Sequence, residues 1–181
     1  MLVKVGGITN LSDARYCAGM GVEMLGFGVI AGQDNYIAPE RFQEIRGWVT
    51  GPRVVAEIFG IKSADALEEI LKNYSPDYLE LSMNEISLFQ NLPLPFILSL
   101  KDGESSDNLP LTPAYIQRFT AVPPEDNYPI LLEIRSAQDF QRVLQQAGIH
   151  GISMHGGQEL RPGLKDYDFL SEVLEQLDAD G

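Results

Sequence analysis

Short apolar runs rich in Val, Ile, Leu and Phe alternate along this chain with segments of helical period, and that alternation dictates a parallel α/β architecture. Leu2–Gly6 reads as the first strand, and Asn10, Ser12 and Asp13 form a helix-start signature directly after it. Glu23–Ile30 reads as a second strand, and Pro39 at a first-turn position opens a helix carrying Phe42 and Ile45. Arg53–Phe59 is the third strand, followed by a helix with Leu67, Ile70, Leu71 and Tyr74 at i, i+3, i+4 and i+7. Tyr78–Leu81 and Pro95–Leu100 read as strands four and five, with a weak short helix over Met83–Asn91 between them.

Asp102–Tyr128 carries the poorest signal, with prolines at 110, 113, 123 and 124. A short helix near Ala114–Gln117 and a strand near Phe119–Val122 are the readings it allows. Regularity returns with the strand Pro129–Ile134 and a capping-box-like Ser136-Ala137-Gln138-Asp139. The last strand is His150–Met154, and the last helix, from about Asp166, carries Phe169, Leu170, Val173, Leu174 and Leu177 on one face. About eight strands and six or seven helices in 181 residues suit one domain, 1–181. That count fits a (β/α)8 barrel of the TIM type with one or two helices reduced or missing, since about 250 residues is usual. An open doubly wound sheet is the competing arrangement.

Thirteen Lys and Arg face 26 Asp and Glu, a formal net charge of −13. Such a surface repels nucleic-acid phosphates and anionic lipid, so neither is an expected partner, whereas a local cluster of backbone N–H groups still admits an anionic metabolite. No apolar run approaches the roughly 18 residues needed to span a bilayer. The opening residues lack a charged leader and cleavage site, and a single cysteine, Cys17, forms no internal disulfide. A cytoplasmic location is the expectation. No His/Cys/Asp cluster has metal-ligand spacing, and no nucleotide fingerprint occurs, so neither a metal nor a cofactor is expected.

Four blocks carry a more specific signal. Val3-Lys4-Val5-Gly6-Gly7-Ile8-Thr9 followed by Asp13-Ala14, then Leu25-Gly26-Phe27-Gly28-Val29, then Tyr36-Ile37-Ala38-Pro39-Glu40 run in order near the start. Near the end stands Gly156-Gly157-Gln158-Glu159-Leu160-Arg161-Pro162-Gly163-Leu164-Lys165-Asp166. In order and spacing these blocks resemble the phosphoribosylanthranilate isomerase family, over most of the chain except about 102–127. The resemblance implies a closed barrel and an Amadori-type aldose–ketose isomerisation in tryptophan biosynthesis. It also implies phosphate held by glycine-rich turns after strands seven and eight.

The chain departs from that pattern where the chemistry lies. Gly6 stands where the family has its Cys base, and Asn35 where it has an Arg. Glu80 and Ser82 replace a Gln and a His, and Glu133-Ile134 replace a glycine pair. No counterpart of the sixth-strand Asp acid is visible in Ala121–Pro124, although Glu125 and Asp126 follow. Each lost proton-transfer group removes a factor of about 10² to 10⁴, so the family reaction is not expected at a useful rate.

Period 2 puts Lys4 on the face of Gly6, the barrel interior in the family match. A buried ammonium needs a partner, with Glu80 first and Glu133 second. The pair is either a structural ion pair or part of a ligand site. His155, at the mouth where barrel active sites lie, is a second proton-transfer candidate or a solvated loop residue. The expected catalytic groups are therefore Glu80, Glu133 and His155. The expected substrate- and phosphate-binding set is Lys4, Gly6, Gly7, Ser82, Ser153, Gly156, Gly157 and Gln158. Lys101 reads as a solvated loop lysine and Cys17 as a small core residue.

Three readings remain open. One is a diverged isomerase acting on a small sugar-derived metabolite, phosphorylated or not. Another is a non-catalytic relative that binds a metabolite or a protein. The third, which the resemblance implies, is a phosphoribosylanthranilate isomerase of tryptophan biosynthesis with surrogate catalytic residues. Because 102–128 lacks an amphipathic helix, Phe119, Val122, Ile130 or Leu132 is expected to be exposed, a flank suited to a homodimer, unless the Pro-rich loop with Leu109, Leu111 and Tyr115 folds back over the gap.

Overall fold

The computed structural model describes residues 1–119, 127–156, 159–161, 164–165 and 167–179. Eight parallel strands close into a barrel in the order β1 (Leu2–Gly6), β2 (Met24–Gly28), β3 (Arg53–Glu57), β4 (Tyr78–Ser82), β5 (Phe96–Leu100), β6 (Tyr115–Arg118), β7 (Ile130–Glu133) and β8 (Ile149–His155). β8 returns to pair with β1 from Leu2↔Gly151 to Gly6↔His155. The closed barrel is thus the arrangement, not an open sheet.

Six helices are present among the described residues: α1 (Leu11–Gly19), α2 (Pro39–Arg46), α3 (Ala66–Tyr74), α4 (Met83–Ile86), α5 (Ala137–Leu144) and α6 (Asp168–Ala179). Their starts follow the local chemistry. Asn10 accepts from the Asp13 N–H at 2.9 Å, Ser136 accepts from the Asp139 N–H at 3.1 Å, and Pro39 stands in the first turn of α2. The reduced helices fall where expected: α4 is one turn, and 101–114 between β5 and β6 contains no helix. A two-stranded hairpin, β9 (Glu159–Arg161) with β10 (Leu164–Lys165), lies between β8 and α6 and has no signal in the sequence reading.

One strand lies elsewhere than the sequence suggests. β6 is Tyr115–Arg118, so the segment read as a short helix is the strand; Phe119, where the expected strand would start, belongs to no strand, and 120–122 lie outside the described residues. The barrel decides this. Ile97–Leu100 needs a partner, and Ala114–Ile116 bonds to the neighbouring backbones at Phe96 and Pro129. Tyr and Ile suit a pleated, half-buried surface better than a helix start.

Alternation sorts the strand side chains into two cores. Outward residues such as Val5, Leu25, Phe27, Leu79, Leu98, Ile116, Leu132 and Ile152 pack beneath the helices with Cys17, Phe42, Ile70, Phe140 and Val173. Inward, a separate cluster of Met24, Val55, Ile97 and Leu131, with Leu2, Tyr78 and Tyr115 against it, plugs the bottom of the barrel. Among the described residues the expected bare flank is absent. Ile116, Ile130 and Leu132 are buried, and Leu109, Leu111 and Tyr128 pack onto the same core. Arg118 ties the covering loop down by donating to the Glu104 carbonyl at 3.1 Å. A proline-rich segment can bury apolar side chains without a helix, which is why an amphipathic period was not needed. Val122 lies outside the described residues.

Candidate active site

One inward layer above the apolar plug is polar. Each strand contributes the residue two positions further on: Lys4 from β1, Gly26 from β2, Glu57 from β3, Glu80 from β4, Ser99 from β5, Gln117 from β6, Glu133 from β7 and Ser153 from β8. All seven side chains are buried. The layer holds three carboxyl groups and one ammonium.

Lys4 is the hub. Its Nζ lies 2.6 Å from Glu80 Oε2 and donates to Gln117 Oε1 at 3.1 Å and to Ser153 Oγ at 3.5 Å, so all three ammonium hydrogens have acceptors. Burial alone would lower the Lys4 pKa, but the carboxylates of Glu80, Glu57 and Glu133 outweigh it and hold it above its ordinary value. The expected Lys4–Glu80 pair therefore forms. Ser99 adds a hydrogen bond to Glu80 Oε1 at 2.8 Å. Glu80 and Lys4 are each only 1% exposed, which withdraws both from the mouth.

Glu133 sits nearer the opening. Its Oε1 pairs with Arg135 Nε at 2.8 Å, and its Oε2 accepts from Gln117 Nε2 at 3.4 Å and lies 3.8 Å from His155 Nε2. His155 and Arg135 are largely exposed, so this corner joins the buried layer to solvent at the C-terminal end of the barrel, where barrel enzymes act. Ser82 instead caps α4, exchanging bonds with Asn84 N–H and with Glu85. Burial would raise the Glu85 pKa, but the Ser82 hydroxyl and the N–H groups of Gly60 and Ser82 lower it below the usual range.

Glu57 was not among the sequence candidates. Its Oε1 accepts the Gly7 N–H at 3.1 Å, and a Cβ placed on Gly6 would sit 2.5 Å from that oxygen. A Cβ on Gly26 would collide with the same carboxylate. The bare backbones of Gly6 and Gly26 thus make the niche that the Glu57 carboxylate fills. Burial pushes its pKa up to about 7, opposed by Lys4 and the Gly7 N–H and reinforced by Glu80. The signal was readable only as Glu57 closing a strand of alternating pattern, opposite two glycines whose partner could not be told.

The glycine turns are placed as follows. The Gly7 N–H is committed to Glu57, and the Gly156 N–H donates to the Gly6 carbonyl at 2.8 Å. Gly157 and Gln158 lie outside the described residues. β6 ends on Gln117-Arg118, without a carboxyl, and Glu125 and Asp126 also lie outside them. Lys101 is exposed and Cys17 is buried, as expected. No group of His, Cys, Asp and Glu among the described residues could hold a metal ion, and no helix among them is long and apolar enough to cross a membrane.

No family model matches the chain. An N-(5'-phosphoribosyl)anthranilate isomerase of Gloeothece citriformis (strain PCC 7424) is 24% identical over an alignment covering 98% of this chain and 94% of that protein. Monomers generated from the dimeric phosphoribosylanthranilate isomerase of Thermotoga maritima superpose with a TM-score of 0.79 at 19% identity, over 99% of this chain and 100% of theirs. A phosphoribosylanthranilate isomerase in complex with reduced 1-(o-carboxyphenylamino)-1-deoxyribulose 5-phosphate gives 0.77 at 18%, over 99% and 100%. Along nearly its whole length the chain is similar in sequence to an N-(5'-phosphoribosyl)anthranilate isomerase, and its closed eight-stranded barrel is the fold of the solved phosphoribosylanthranilate isomerases.

Proposed function

We propose that the barrel mouth binds a small phosphorylated, sugar-derived metabolite and isomerises it in the aldose–ketose sense, with proton-transfer groups other than the family's. The observation that carries this reading is the buried polar layer itself. A barrel needing only stability would fill that layer with apolar side chains, since a buried ion pair is rarely more stabilising than an apolar replacement. Here it carries three carboxyl groups and connects through Glu133 to His155 and Arg135 at the opening. In this reading Glu133 and His155 exchange protons with the ligand, and Glu80 positions Lys4. Lys4, Ser153, Gly6, Gly7 and Ser82 shape the floor. Arg135, exposed at the opening, meets the anionic group and locally offsets the global negative charge.

The names of the relatives make N-(5'-phosphoribosyl)anthranilate the first substrate to test, which would place the chain in tryptophan biosynthesis. Purified protein is expected to convert it to the ketose product above the uncatalysed background. Failure to turn it over while inorganic phosphate still binds at the mouth would favour a non-catalytic metabolite-binding relative. Neither turnover nor binding would overturn the proposal.

A further inference from the structure

We propose that Glu57 is the group in this site that takes a proton from a ligand carbon adjacent to a C=N or C=O bond and returns one to the neighbouring carbon. This rests on the isomerase reading above and names the group that carries its central step. Three observations support it.

The first is the charge balance of the buried layer. Glu80 has the Lys4 ammonium at 2.6 Å and the Ser99 hydroxyl at 2.8 Å. Glu133 has Arg135 at 2.8 Å and the Gln117 amide at 3.4 Å. Glu57 is left with one backbone N–H, that of Gly7 at 3.1 Å. Two cationic partners cannot hold three buried carboxyls ionised, and the least compensated one takes up the proton.

The second is access. Glu57 closes β3 at the end where the barrel opens, and it is 8% exposed against 1% for Glu80 and 5% for Glu133. The third is the niche. Gly6 and Gly26 leave the Glu57 carboxyl lying against bare backbone on two sides. The charged groups facing it are Lys4 on β1 and Glu80 on β4, and with burial they leave its pKa at about 7. Both protonation states are then populated near neutrality, which suits a group that must first accept and then donate.

The step balances without any co-reactant. Glu57 carboxylate removes the proton from the ligand carbon next to a protonated C=N⁺–H group, and the C–H pair becomes a C=C bond while the C=N pair neutralises the nitrogen, which keeps its own proton. The resulting enol-amine then accepts a proton from Glu57 at the adjacent carbon, and its hydroxyl loses one to solvent at the mouth, leaving the ketone. No oxidation or reduction occurs.

The test is steady-state kinetics of N-(5'-phosphoribosyl)anthranilate turnover against pH, with thermal melting as the folding control. In the wild type, kcat/KM is expected to rise with pH through a midpoint near 7. Glu57→Gln, which keeps the shape, is expected to lose about 10² to 10⁴ in kcat with little change in KM, and to lose that limb. Glu57→Asp is expected to keep the limb at reduced kcat, and it decides the matter if the Gln variant does not fold. Wild-type turnover with Glu57→Gln equally active and the limb unchanged overturns the role of Glu57 and leaves the isomerase reading standing. A Glu57→Asp variant with unchanged kcat and limb does the same. No wild-type turnover overturns both.

Discussion

The Lys4 ammonium and the Glu80 carboxylate meet 2.6 Å apart inside the barrel, each almost wholly withdrawn from water. Breaking one side of such a pair leaves the other charge buried without a partner. Glu80→Ala is expected to destabilise the fold by about 3–5 kcal/mol. Replacing both residues, as in Lys4→Met with Glu80→Leu, is expected to recover most of that loss. Urea unfolding of the two variants checks this, and a double variant no more stable than Glu80→Ala would contradict it.

Glu57 imposes a pH dependence on stability. Its folded pKa of about 7 lies above the ordinary value of 4.5, so the native state binds more protons than the unfolded chain between those limits. The stability it contributes is fully present below about pH 4.5 and is lost as pH rises through 7. Glu57→Gln is expected to flatten this part of the curve and to be the more stable protein at pH 8. Chemical denaturation of both proteins between pH 5 and 8 measures it, and parallel curves would refute it.

The glycine at position 6 cannot simply be replaced. A Cys there would bring its Cβ to 2.5 Å from Glu57 Oε1. Gly6→Cys alone is expected to cost about 1–3 kcal/mol, in the range of overpacked cores. Combining it with Glu57→Gly is expected to restore most of the loss by vacating the niche. Melting temperatures of the single and double variants read the coupling.

Asp13 on α1 is buried and accepts a hydrogen bond from the Tyr167 hydroxyl, just before α6. The contact ties the first helix to the last across the β8–β1 seam, and the Tyr16 and Tyr167 rings meet beside it at a tilt of 42°, their centroids 5.2 Å apart. Burial and the Asp13 carboxylate both push the Tyr167 pKa above its ordinary range. Tyr167→Phe is expected to cost about 1–3 kcal/mol, because a bond to a charged group is lost while the ring stays. Hydrogen exchange in α6 is expected to rise more than in α3.

Leu132 and Ile130 face a covered core rather than a free flank. Leu132→Asp is therefore expected to unfold the protein rather than to dissociate a dimer. Circular dichroism together with light scattering distinguishes the outcomes. A folded monomeric variant derived from a dimeric wild type would refute it.

Much of this molecule was written in local pattern. The period-2 runs and capped amphipathic helices determined seven of the barrel strands to within a few residues, and the blocks around Gly6, Pro39 and Gly156 carried the family likeness. Lys4 and Glu80 could be paired from sequence because a buried ammonium demands a carboxylate and strand alternation placed both inside. Tertiary structure decided what depended on closure. β6 took its register from the open edge of β5, which outweighed the weak helix signal of Ala114–Gln117. Leu109 and Leu111 covered the outer face without any helical period. The role of Glu57 also belonged to the fold. Its surroundings come from Gly6, Gly7, Gly26, Lys4 and Glu80, which lie on three other strands and the β1 turn, and burial beside them sets its protonation. Sequence fixes which residues alternate inward, but the free energy of a proton on a carboxyl depends on distances that exist only once the barrel has closed.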